Sequence, residues 1–121
     1  MEKNNKAILV ISNMTPSRIF LSRICLKLGH KSYQASNIEA AIKTVQRKDI
    51  HLIFMDLRKY KNESQTMIKR IRDMINGDMP IIAIGGNEEY NSNKTISFDY
   101  IMKTPIEPKF IKKILLKFID I

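Results

Sequence analysis

Carboxylates at the mouth of a parallel sheet are the side chains with which α/β proteins hold hard cations, and this chain offers Asp56 in that setting. Asp56 closes the apolar run His51-Leu52-Ile53-Phe54-Met55 and is followed by polar sequence. A run of that length, set between helix-like segments, predicts a strand of a parallel sheet buried on both faces. The acid then stands at the carboxyl edge of the sheet, where open α/β folds build their sites. The matching position at the end of the first strand-like run carries Ser12-Asn13, with no acid. One acid without companions is a different site from three together, because a divalent ion is held by the sum of its carboxylates.

Other chemistries are excluded by residue type and spacing. His30 follows Gly29 in a turn and His51 opens a strand, and neither has a second ligand at metal spacing. Cys25 falls on the apolar face of the first helix and reads as a small buried hydrophobe rather than a nucleophile. No P-loop, dinucleotide fingerprint or Ser-His-Asp set is present.

The elements that must position Asp56 follow from the alternation of two periods. The length of 121 residues suits one domain, 1–121, with a single sizeable core, and 44% hydrophobic with 27% charged residues is ordinary for a globular protein. Ala7 to Ile11 reads as a buried strand. Pro16 suits the first turn of a helix bearing Ile19, Phe20, Ile24, Cys25 and Leu28, which stops at Gly29. Lys31 to Ala35 is a weaker strand, and Ser36 with Glu39 matches a capping box for a helix bearing Ala40, Ala41, Ile42 and Val45. After the strand ending at Asp56, a third helix carries Met67, Ile68, Ile71 and Ile75. Pro80 to Ile84 is the fourth strand, with Gly85-Gly86 at its mouth, and Tyr100 to Lys103 is a short fifth. Pro108 opens a last helix with Phe110, Ile111, Ile114, Leu115 and Phe118 as its core face. Five strand–helix alternations predict right-handed crossovers and a three-layer α/β/α sandwich around a five-stranded parallel sheet.

Lys and Arg outnumber Asp and Glu by 21 to 12, a net charge of +9. Such a charge could favour nucleic acid, an anionic membrane or an acidic protein. Many of these residues fall at amphipathic helix spacing, as in Lys109, Lys112, Lys113 and Lys117, without interleaved aromatics for base stacking, so solvated helix faces are the simpler reading. Cys25 is the single cysteine, no stretch has the length of a membrane span, and the charged start from Met1 to Lys6 lacks a cleavable leader pattern. The cytoplasm is the expected location.

Seven pieces of the chain, in order, carry a resemblance. They are Ile8-Leu9-Val10-Ile11, Leu28-Gly29-His30, Asn37-x-Glu39-Ala40, Leu52-Ile53-Phe54-Met55-Asp56, Ile68-Lys69-Arg70-Ile71-Arg72, Met79-Pro80-Ile81-Ile82-Ala83 and Asp99-Tyr100-Ile101-Met102-Lys103. Over essentially the whole chain they resemble the response-regulator receiver domain of two-component signalling, nearest to receivers attached to hybrid sensor histidine kinases. The resemblance implies a flavodoxin-like fold and Asp56 as phosphoacceptor. It also implies an acid pair at Ser12 and Asn13 that would share Mg²⁺ with Asp56, a Thr or Ser at Gly85, and a phosphoryl-binding Lys at Lys103. Asp56 and Lys103 alone keep that chemistry. The loop after the acceptor, Lys59 to Ser64, departs from the family pattern, and its Lys-Pro pair is interrupted as Lys103-Thr104-Pro105.

The departures have physical consequences. A carboxylate attacking a phosphoryl group needs the mutual repulsion neutralised, which a hard cation held by several carboxylates does. With an effective dielectric near 20, each carboxylate lost within about 4 Å of the metal forfeits on the order of several kcal/mol before solvation. Mg²⁺ binding is therefore expected to be weak or absent, any residual ion meeting Asn13, Asp56 and the backbone of Arg58. No other cofactor is expected. A protein cation should neutralise Asp56 instead, with Lys103 and Arg58 as the two candidates.

Gly85 has no hydroxyl to draw toward a phosphoryl group, and Tyr100, where the resemblance places a rotating aromatic, reads as a Tyr partly buried at the sheet edge. The segment Asn87 to Phe98 is rich in Asn, Ser and Thr and roughly one helical turn short by comparison with the family, so a stunted or missing fourth helix is expected there. The function these readings imply is an atypical receiver: a protein-interaction module rather than an enzyme, at most catalysing its own phosphorylation at Asp56. Its partner would be a histidine kinase, a phosphotransfer protein, an effector domain of the same protein or a second copy of itself, and not a membrane. An ordinary receiver phosphorylated on Asp56 by a histidine kinase, and a small basic nucleic-acid-binding domain, stand as alternatives.

Overall fold

The structure is a computed structural model, and it describes residues 6–56, 58, 64–75, 79–85 and 98–119. Among the described residues, five strands and four helices follow one another in the order β1 (Ala7–Ile11), α1 (Thr15–Lys27), β2 (Lys31–Ala35), α2 (Ile38–Arg47), β3 (Leu52–Asp56), α3 (Ser64–Met74), β4 (Ile81–Ile84), β5 (Tyr100–Met102) and α4 (Pro108–Ile119). All pairs are parallel and the order is β2-β1-β3-β4-β5, the flavodoxin-like arrangement. The order reverses at β1, so the crevice at the carboxyl ends of β1 and β3 is the topological switch point.

Alternation along the central strands feeds two cores, one on each face. Leu9, Ile11, Ile53, Met55, Ile81 and Ala83 pack with Ala41 of α2 and Met67, Ile68 and Ile71 of α3. Ile8, Val10, Leu52, Phe54, Ile82 and Ile84 pack with Leu21, Ile24 and Cys25 of α1 and Ile111, Ile114 and Leu115 of α4. The central strands are buried on both sides, which is why they read as continuous apolar runs. Burial also pushes the Cys25 thiol up to about 12, so it stays neutral.

Local signals mostly decide the helix limits. Pro16 sits in the first turn of α1, and at the other end Gly29 adopts φ 93° while the His30 N–H closes on the Cys25 carbonyl at 3.1 Å. The cap of α2 differs from the expected Ser36–Glu39 box. Asn37 is the cap, its Oδ1 accepting from the Ala40 N–H at 2.8 Å, because the helix starts one residue later, at Ile38. Two aromatics expected in the core are on the surface: Phe20 is 44% and Phe110 42% exposed. Leu21, in phase with Ile24, Cys25 and Leu28, takes the inward place in α1, and the Phe110 ring is flanked by the Lys109 and Lys113 ammonium groups at 5.4 and 5.9 Å. The short or missing helix is expected over Asn87 to Phe98 and the altered loop over Lys59 to Ser64, and apart from Phe98 and Ser64 these segments lie outside the described residues.

Candidate functional site

Strand register brings the two halves of the site together. β1 pairs with β3 through Ile8↔Leu52 and Val10↔Phe54, and continuing that register sets Ser12 opposite Asp56 on the face that carries α1. Asp56 is 3% exposed and Ser12 1%. A buried charge at this level needs full hydrogen bonding and a counter-charge.

Arg58 supplies both. Its Nε donates to Asp56 Oδ1 at 2.8 Å and one terminal nitrogen to Oδ2 at 2.6 Å, a two-pronged fork. The Arg58 backbone N–H adds a bond to Oδ1 at 3.1 Å, and the Ser12 hydroxyl one to Oδ2 at 3.1 Å. Four donors thus meet the roughly four lone-pair positions of a carboxylate. The terminal nitrogen that reaches Oδ2 also donates to Ser17 Oγ, in the first turn of α1, at 2.9 Å. Hydrogen bonding to Asp56 raises the Arg58 pKa above its ordinary value, with desolvation opposing and the charge of Asp56 adding to it.

The floor of the pocket is tied separately. Ser12 Oγ accepts from the Met14 N–H at 3.0 Å, and Arg18 clamps the turn by donating to the Ser12 carbonyl at 2.9 Å and to Gln34 Oε1 on β2 at 3.1 Å. Ser17 and Arg18 are site-building residues that the sequence reading passed over. The available signal was position: the first turn of a helix that follows β1 must lie above the carboxyl edge of the sheet.

The remaining candidates sit apart from the acid. Asn13 is exposed. Gly85 follows β4 with φ 155° and donates its N–H to the Met102 carbonyl at 3.0 Å. Lys103 is exposed just past β5 and makes no ion pair among the described residues, so of the two cations it is Arg58 that pairs with Asp56. Tyr100 pairs with Ile82, two residues below the edge level set by Asp56↔Ile84↔Met102, and is 44% exposed, its ring 6.4 Å from that of Phe118. The Thr104–Pro105 bond is cis.

A divalent ion does not fit this donor set. Mg²⁺ requires oxygens with free lone pairs in an octahedral array. Both Asp56 oxygens are engaged, and a guanidinium nitrogen stands 2.6 Å from one of them. Among the described residues no three His, Cys, Asp or Glu side chains are placed to share a metal. The site as built is a neutralised, hydrogen-bonded acid.

Comparison with known proteins places the fold. No protein-family model matches the chain, and no curated protein matches it. Solved structures do. The receiver domain of a sensor histidine kinase from Pseudomonas aeruginosa PAO1, with a magnesium ion coordinated in its active-site cleft, is 19% identical with a TM-score of 0.82, over 95% of this chain and 98% of that one. A two-component response regulator from Clostridium difficile is 18% identical with a TM-score of 0.82, over 95% and 96%. The receiver domain of the hybrid histidine kinase CckA is 19% identical with a TM-score of 0.73, over 92% and 96%. The chain has the fold of these receiver domains.

Proposed function

We propose that this chain is a receiver module of two-component or phosphorelay signalling that works mainly by binding other proteins, with Mg²⁺-dependent phosphorylation of Asp56 weak or absent. The observation that carries the reading is the four-donor enclosure of Asp56 by Arg58 and Ser12 in a pocket whose other edge positions, Ser12 and Asn13, are neutral. A carboxylate whose lone pairs are all occupied is a poor nucleophile, and a guanidinium engaged with both its oxygens is not free to bridge it to an incoming phosphoryl group as a metal would. The interaction role is supported by an apolar groove between α1 and α4. It is lined by Phe20, Ile24, Leu28 and Pro108 together with Arg23, Lys27, Lys109 and Lys112.

The partners that suit this role are a histidine kinase, a phosphotransfer protein or an effector domain of the same protein. The module is not an enzyme acting on a separate substrate, and its place is the cytoplasm. Among the described residues no helix is long and apolar enough to cross a membrane. A second reading, the ordinary phosphoacceptor, is favoured by Lys103, which keeps an exposed ammonium group at the carboxyl end of β5. Intact mass after incubation with a small phosphodonor and Mg²⁺ decides between them. The expected result is an unmodified chain. One added phosphoryl group on the wild type that is lost in Asp56→Asn would establish the ordinary mechanism.

A further inference from the structure

We propose that Arg58 is an intramolecular latch, which keeps divalent cations and phosphoryl donors off Asp56 and closes the pocket more decisively than the missing acids do. This rests on the receiver reading and adds how its central acid is controlled. Three features of the geometry carry it. The guanidinium takes both carboxylate oxygens, through Nε at 2.8 Å and the terminal nitrogen at 2.6 Å, so neither is left for an entering ion. The same terminal nitrogen is held by Ser17 Oγ at 2.9 Å, which fixes the guanidinium between the first turn of α1 and the end of β3. And the cation is tethered two residues from its acid, whereas a metal must give up hydration and translational freedom to displace it.

The missing acids alone would act differently. Asn13 is exposed beside the pocket, so an acid can be returned there without disturbing the core. If neutrality at the end of β1 were the whole obstacle, that single change would recover metal binding. With a latch in place it does not, and Arg58 must also be removed. The two substitutions are then strongly non-additive.

The experiment is a double-mutant cycle of wild type, Asn13→Asp, Arg58→Ala and the double variant, titrated with Mg²⁺. Binding is read from amide shifts around Asp56 and, independently, from the rise of Tm with Mg²⁺. The expected result is no response in wild type, little in Asn13→Asp, and in the double variant an affinity at least about tenfold above that of Asn13→Asp. Should Arg58→Ala leave the chain unfolded, Arg58→Gln, which keeps a donor but drops the charge, carries the same cycle. Asn13→Asp binding Mg²⁺ as tightly as the double variant overturns the latch, as does a folded double variant that binds none. Those failures leave the reading of a weakly phosphorylated receiver standing, whereas phosphoryl uptake on Asp56 by wild type with Mg²⁺ replaces it with the ordinary receiver.

Discussion

Two Arg–Asp pairs hold opposite ends of the sheet, and they use the same chemistry for different ends. At the carboxyl edge, Arg58 covers an Asp56 side chain that is 4% exposed. At the amino edge, Arg72 of α3 donates to Asp99 Oδ2 at 2.9 Å, where the acid is 39% exposed. Asp99 Oδ2 also accepts from the Ile81 N–H at 2.8 Å, and Arg72 donates to the Met79 carbonyl at 2.7 Å. That second pair is a staple: it ties α3 to the entry of β4 and the approach to β5, and leaves water at hand beside Asp99. The first pair has no such recourse on the acid's side. The difference teaches that desolvation of the acid, more than the number of bonds, decides whether an ion pair is a fastening or a closed site.

Removing Arg58 should therefore produce the largest loss. Arg58→Ala strands a buried carboxylate and is expected to cost about 3–5 kcal/mol in denaturant unfolding. Asp56→Asn leaves a partly exposed guanidinium that can turn to water, and should cost less, about 1–2 kcal/mol. Equal losses from the two variants would break the asymmetry. At the other edge, Arg72→Ala is expected to cost about 1 kcal/mol, since exposure of Asp99 discounts the pair. Raising salt to about 1 M, where the screening length is about 3 Å, should shrink the Arg72→Ala loss and leave that of Arg58→Ala nearly unchanged. A shared salt dependence would erase the distinction between staple and closed site.

Cys25 sharpens the same contrast from the side of a group without a counter-charge. It is as buried as Asp56 but no cation faces it among the described residues, and its thiol is raised from 9.0 to about 12. The folded value lies above the unfolded one, so the unfolded chain loses its proton first. The thiol's contribution is complete below 9.0 and is lost as pH rises toward about 12. Between neutral pH and about pH 10, wild type should lose about 1 kcal/mol more stability than Cys25→Ala. Parallel pH profiles for the two would show that burial does not control the thiol.

Much of the scaffold was legible because one physical signal dominated it. Strands buried on both faces leave unbroken apolar runs, so β1, β3 and β4 and the edge position of Asp56 could be read directly. Where two neighbouring residues competed, the signal failed. Ser36 and Asn37 are both good caps, and the start of α2 at Ile38 selects the second. Phe20 is as apolar as Leu21, and the phase of α1 against the sheet sends it outward.

The order of strands and helices, the lone acid at the carboxyl edge and the neutral Ser12-Asn13 opposite it were determined by the sequence, because burial and periodicity act over a few neighbours at a time. Which cation meets Asp56 was decided by tertiary structure alone. Arg58 and Lys103 carry the same charge and both lie near a strand's end, but the chain leaving β3 folds Arg58 back over the acid and against Ser17 of α1. Coulomb attraction depends on distance and on exclusion of water, and both arise only when β1, β3 and α1 close around the same point.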